Sequence, residues 1–130
     1  MREKILIVED NPLHMRLVEM TLRAKNYTIL QATDGEEALE IAARERPDLI
    51  IMDLNLPETT GFKLTKKLRE NPAFSHTPII ALTAYAMGGD RERVIEAGCD
   101  AYLTKPINTR KLPEVIAKML SQQQKDNSQP

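Results

Sequence analysis

Five times along this chain a short apolar run gives way to a longer stretch whose apolar residues recur every three or four positions. Lys4-Ile5-Leu6-Ile7-Val8 is the first such run. It is followed by Pro12 to Lys25, where Leu13, Leu17, Met20 and Ala24 form a helical stripe that Val18 and Leu22 widen. Pro12 suits a first helical turn, in which its missing N–H has no partner to lose. The alternation continues as strand Thr28 to Gln31, helix Gly35 to Arg46, strand Asp48 to Asp53, helix Gly61 to Glu70, strand Pro78 to Leu82, helix Asp90 to Ala97, strand Ala101 to Leu103 and helix Thr109 to Leu120. Runs this short and this uniformly apolar are strands buried on both faces, which requires a parallel sheet with helices on either side. Right-handed crossovers and the chain's size then predict an α/β, flavodoxin-like (βα)5 fold, a doubly wound parallel five-stranded sheet in the order 2-1-3-4-5.

A chain of 130 residues suits one such domain, expected over residues 1–121, and the polar stretch from Gln122 to Pro130 lacks a helical stripe and is expected to be disordered. With 18 basic against 19 acidic residues spread along the chain there is no basic face for phosphate backbones, so no nucleic-acid partner is expected. The single cysteine, Cys99, and the lack of a signal segment favour a reducing, cytoplasmic setting, and no apolar run is long enough to engage a membrane by crossing it. The histidines, His14 and His76, have no second ligand near them in sequence, and Cys99 reads as a small packed residue.

In this fold ligands bind beyond the carboxyl ends of the strands, beside the point where strand order reverses. Those ends carry Glu9 and Asp10 after the first strand, Asp53 after the third, Thr83 after the fourth and Lys105-Pro106 after the fifth. Acids gathered at one edge repel one another unless a cation lies among them, and an all-oxygen set suits Mg²⁺. Glu9, Asp10 and Asp53, with the backbone carbonyl of Asn55, are the expected ligands. A phosphoryl group on Asp53 would find a point charge in Lys105 and a hydroxyl donor in Thr83, and a carboxylate is a competent nucleophile for such a transfer. Each residue alone has an ordinary explanation: Glu9-Asp10 as acids favouring a helix start, Asp53 as a turn former, Thr83 as a strand end, Lys105 as a solvated side chain. Four such positions at four ends of one sheet argue for a site.

The segments "ILIVEDN", "DLIIMDLNLPETTG", "PIIALTA" and "AYLTKPI" resemble, in order and spacing, the receiver domain of two-component response regulators, the CheY-like superfamily, over nearly the whole chain. The stretch from Ala81 to Ile107 is further similar to single-domain cell-division regulators of the DivK type and to receivers fused to hybrid histidine kinases. The resemblance implies Asp53 as phosphoacceptor, Glu9 and Asp10 as the acidic pair, Thr83 as switch hydroxyl, Tyr102 as switch aromatic, Lys105 as the site lysine and a cis Lys105-Pro106 bond. It implies a histidine kinase or histidine phosphotransfer protein as donor, and a downstream protein bound in trans through the face of the fourth helix, fifth strand and fifth helix. A monomer or weak dimer is expected, catalysing only its own phosphorylation and dephosphorylation. Thr59 departs from the pattern, since many receivers carry an apolar residue there, and Tyr85 is expected to shield the phosphoryl group from water.

Three rival functions make distinct demands. A haloacid-dehalogenase-type phosphatase usually carries a second Asp two residues after its nucleophile, where this chain has Asn55. A flavin module would offer hydroxyls and glycines after the first strand, where this chain offers Glu9-Asp10. A constitutive interaction module would leave the acid pocket unused.

Overall fold

The computed structural model describes residues 2–54, 61–83, 88–105 and 107–128, except for the side chains of 88–91, 93 and 123–128. Strands β1 (Lys4–Val8), β2 (Thr28–Ala32), β3 (Leu49–Asp53), β4 (Ile79–Thr83) and β5 (Ala101–Thr104) form one sheet in the order β2-β1-β3-β4-β5, all pairs parallel. Between and after them run α1 (Pro12–Arg23), α2 (Gly35–Glu45), α3 (Gly61–Glu70), α4 (Gly88–Ala97) and α5 (Lys111–Ser128), with a short 3₁₀ turn at Pro72–Phe74. The expected fold, order and element sequence are borne out.

Alternation along each strand divides the core. Ile5, Ile7, Leu49, Ile51, Ile80, Leu82 and Leu103 face α1 and α5, whereas Leu6, Val8, Ile50, Met52, Ile79 and Ala81 face α2, α3 and α4. Every residue of β3 is buried, which is why its sequence shows no polar alternation until Asp53.

Two expectations need correction. The α1 stripe is offset: Met15, Val18 and Leu22 are buried, while Leu13 is 78% exposed and Met20 60%. The helix carries two apolar arcs, and only the position of the sheet selects between them. At the other terminus α5 continues to Ser128, through residues expected to be disordered. Glutamine and lysine are good helix formers, and extending an existing helix avoids the cost of nucleation, so no apolar stripe is required.

Arg69 ties the α3 side of the fold together. Its guanidinium donates to the carbonyls of Gly98 (2.9 Å), Phe74 (2.6 Å) and Thr77 (2.7 Å) and pairs with Asp100 at 2.8 Å. Asp100 accepts in turn from the N–H of Ile79 at 2.8 Å. Arg69→Ala would orphan three carbonyls at once and is expected to cost about 2 kcal/mol in urea unfolding. Arg69→Lys is expected to recover little of that, lacking the planar fork; full recovery by lysine would contradict the fork geometry.

Candidate functional site

Strand register assembles the site. The β1–β3 pairing ends at Val8↔Met52, so Glu9 and Asp53 emerge side by side, and the β4–β5 pairing ends at Thr83↔Thr104, one residue before Lys105. The N–H of Lys105 donates to the Thr83 carbonyl at 2.7 Å, which anchors the lysine backbone to β4. Asn11 caps α1, its side chain accepting from the N–H groups of Leu13 and His14. That leaves the carboxylates of Glu9 and Asp10 available at the sheet edge.

Glu9 and Asp53 are buried and Asp10 is exposed, and carboxylate oxygens of the three lie within 4.8 Å of one another. The ammonium of Lys105 sits 3.2 Å from Glu9 Oε1 and 3.2 Å from Asp53 Oδ1. Burial, reinforced by a hydrogen bond to Asp53 and by the charge of Asp53, pushes the Glu9 carboxyl up to about 8 against the pull of Lys105. The carboxyl of Glu9 therefore favours its protonated form at neutral pH. Glu9 Oε1, though 3.2 Å from the Lys105 ammonium and 3.4 Å from His14 Nδ1, makes no hydrogen bond of good geometry among the described residues. Thr83 is buried at the end of β4.

Alternation separates the remaining expected residues. Asp53 continues the β3 face of Leu49 and Ile51, against α1 and α5. Thr83 continues the β4 face of Ile79 and Ala81, and partly buried Tyr102, paired with Ala81, packs against the same core half. Thr83 and Tyr102 thus lie on one side of the sheet, two residues apart in register. Asn55, Thr59, Tyr85 and Pro106, and with Pro106 the cis peptide bond, lie outside the described residues.

The sequence reading passed over His14. Its Nδ1 lies 3.4 Å from Glu9 Oε1 and 3.5 Å from Lys105 Nζ. The available signal was position, since a residue in the first turn of the helix after Glu9-Asp10 stays close to the strand ends. His76 is exposed, and Cys99 is buried with its thiol pushed up to about 11 by that burial, which makes it inert.

An acid cluster with a lysine at the carboxyl edge of a 2-1-3-4-5 sheet is the arrangement expected of a receiver, and residues 5–117 match the response regulator receiver domain family. The chain belongs to that family. The polar-differentiation response regulator DivK of Brucella anthropi is 43% identical over 120 residues, 92% of this chain and 98% of the relative. The chemotaxis response regulator CheY4 of Vibrio cholerae superposes with a TM-score of 0.87 at 32% identity, covering 92% of this receiver and 99% of that chain. The receiver domain of the sensor histidine kinase PA1611 of Pseudomonas aeruginosa PAO1, solved with a magnesium ion coordinated in its active-site cleft, superposes with a TM-score of 0.86 at 37% identity over 93% and 99% of the two chains. As a response regulator receiver the domain works in two-component signalling, and no helix among its described residues is long and apolar enough to cross a membrane.

The acid pocket fits a hard divalent cation. Its donors are all carboxylate oxygens, two of the three acids are buried side by side, and Glu9 holds an oxygen that makes no hydrogen bond among the described residues.

Proposed function

We propose that this receiver accepts a phosphoryl group on Asp53 from a histidine kinase or histidine phosphotransfer protein, with Mg²⁺ held by Glu9, Asp10, Asp53 and the Asn55 carbonyl, and signals through protein contacts that depend on the phosphoryl group. The observation that carries this reading is the convergence of Glu9, Asp10 and Asp53 at one strand edge with Lys105 Nζ 3.2 Å from the Asp53 carboxylate. An oxygen of Asp53 attacks phosphorus, a P–O bond forms as the donor's P–N bond breaks, and the imidazole leaves with the bonding electron pair. Bound Mg²⁺ supplies charge neutralisation for the transferring oxygens. Lys105 neutralises a further oxygen as a point charge, and Thr83 turns its hydroxyl toward another.

The turn of Thr83 is the output step. Tyr102 packs on the same side of the sheet two residues away in register, so movement of Thr83 opens space toward the ring and changes the face of α4, β5 and α5. A downstream protein preferring the altered face shifts the population toward it. Leu13, Leu17 and Met20 form an exposed apolar arc on α1, the helix that begins directly after Glu9-Asp10.

Incubation with phosphoramidate or acetyl phosphate, with and without Mg²⁺, is expected to add one phosphoryl group by intact mass, and the gain is expected to vanish in Asp53→Asn and without metal. No gain in the wild type under any donor, including a phosphotransfer protein, would favour a constitutive interaction module. Hydrolysis of phosphate monoesters at many turnovers would favour a phosphatase.

A further inference from the structure

We infer that His14 is a positioning residue for Lys105, its ring nitrogen accepting from the lysine ammonium that lies beside the Glu9 and Asp53 carboxyl groups at the mouth of the acid pocket. The inference rests on the phosphoacceptor reading above and adds a residue to it. An ammonium has three donors and no acceptor, so in the 3.5 Å contact between Lys105 Nζ and His14 Nδ1 the histidine nitrogen accepts. The contact of Nδ1 with Glu9 Oε1 at 3.4 Å is not a hydrogen bond, because that oxygen makes none among the described residues. The lysine is therefore what the ring nitrogen serves.

Geometry explains why an acceptor on His14 matters. Glu9 and Asp53 lie 3.2 Å from the ammonium and are buried, whereas the His14 side chain is 43% exposed and stands at the opening. Two deep carboxylates leave a flexible four-carbon stem free to pivot about them or to sink toward Glu9. An acceptor on a different element fixes the ammonium where phosphoryl oxygens must arrive. His14 can do this because its own backbone is held: its N–H donates to the capping side chain of Asn11 at 3.2 Å, in the first turn of α1. Three separate elements, the β1 end, the β3 end and the first turn of α1, thus fix one lysine delivered from beyond β5.

The test compares wild type, His14→Ala and His14→Asn for phosphorylation by phosphoramidate at varied Mg²⁺. Asparagine places an amide oxygen where Nδ1 stands. His14→Ala is expected to slow the reaction at saturating Mg²⁺ about three- to tenfold, the range set by one hydrogen bond, with the half-saturating Mg²⁺ concentration unchanged within about twofold. His14→Asn is expected to restore the rate. The Lys105 ammonium signal in ¹H–¹⁵N spectra is expected to be resolved in the wild type and in His14→Asn, and lost to solvent exchange in His14→Ala. Equal rates in wild type and His14→Ala, loss of rate in both variants alike, or a change confined to Mg²⁺ half-saturation would each overturn the role. A wild type that takes no phosphoryl group from any donor overturns instead the phosphoacceptor reading, and the ammonium signal then decides whether the seat exists.

Discussion

Glu9→Gln is expected to raise the stability of the metal-free protein at pH 8 by about 1–3 kcal/mol and to change it little at pH 4.5. The sign follows from proton binding. Glu9 titrates near 8 in the folded protein because it is buried beside Asp53, and near its ordinary value of 4.5 when unfolded. Between those values the folded state carries a proton that the unfolded state has released, so each rise in pH through the window weakens the fold, and above about 8 the penalty is complete. At about 1.4 kcal/mol per pH unit the upper bound is roughly 5 kcal/mol, reduced here because the pocket opens on solvent and Lys105 lies against both acids. The amide cannot ionise and is free of the penalty. Urea unfolding in EDTA at pH 4.5 and 8 measures it, and equal gains at the two pH values would show that Glu9 is not the titrating group. The same variant is expected to lose at least about a hundredfold in Mg²⁺ affinity, so that millimolar Mg²⁺ stabilises the wild type by mass action and leaves Glu9→Gln unmoved. Stability surrendered by crowding two acids would thus be the cost of the proposed cation site.

How far the sequence reveals this arrangement depends on which interactions are local. The strands were legible because burial on both faces leaves uninterrupted apolar runs, as in Leu49 to Met52, and their carboxyl ends were legible because parallel topology puts Glu9, Asp53, Thr83 and Lys105 at one edge. The buried face of α1 was not, since Leu13-Leu17-Met20 and Met15-Val18-Leu22 both satisfy helical spacing and the choice belongs to the sheet. His14 was invisible for a related reason. Its distance from Lys105, 91 residues away in sequence, is set by the placement of β5 at the far edge and of α1 over the opposite half of the sheet. The raised titration of Glu9 beside Asp53 likewise depends on register, which spacing alone does not supply.

Gly61→Ala is expected to be the costlier of two glycine substitutions and the only one that harms the site. A Cβ at Gly61 would lie 2.6 Å from the backbone oxygen of Asp53 and 2.7 Å from the Cα of Leu54. Both atoms are backbone at the end of fully buried β3, and the Gly61 N–H closes the loop onto the Leu54 carbonyl at 3.3 Å. Relief requires displacing the residue that presents the proposed phosphoacceptor carboxylate, at about 3–5 kcal/mol by the measure of severe overpacking. A shift of even ~1 Å at a reacting group lowers rates about a hundredfold. Gly98→Ala is the control. Gly98 has φ +107, disfavoured for any residue with a side chain, and its added Cβ would meet Arg69 Cγ at 2.8 Å, an atom on a flexible stem. It is expected to cost about 1–3 kcal/mol through backbone strain, far from Asp53. Measured per folded molecule at a temperature where both variants remain native, phosphorylation by phosphoramidate should then collapse in Gly61→Ala and persist in Gly98→Ala. If both retain wild-type rates the clash is absorbed without moving Asp53, and if both lose activity in proportion to stability the effect is global rather than delivered through the end of β3.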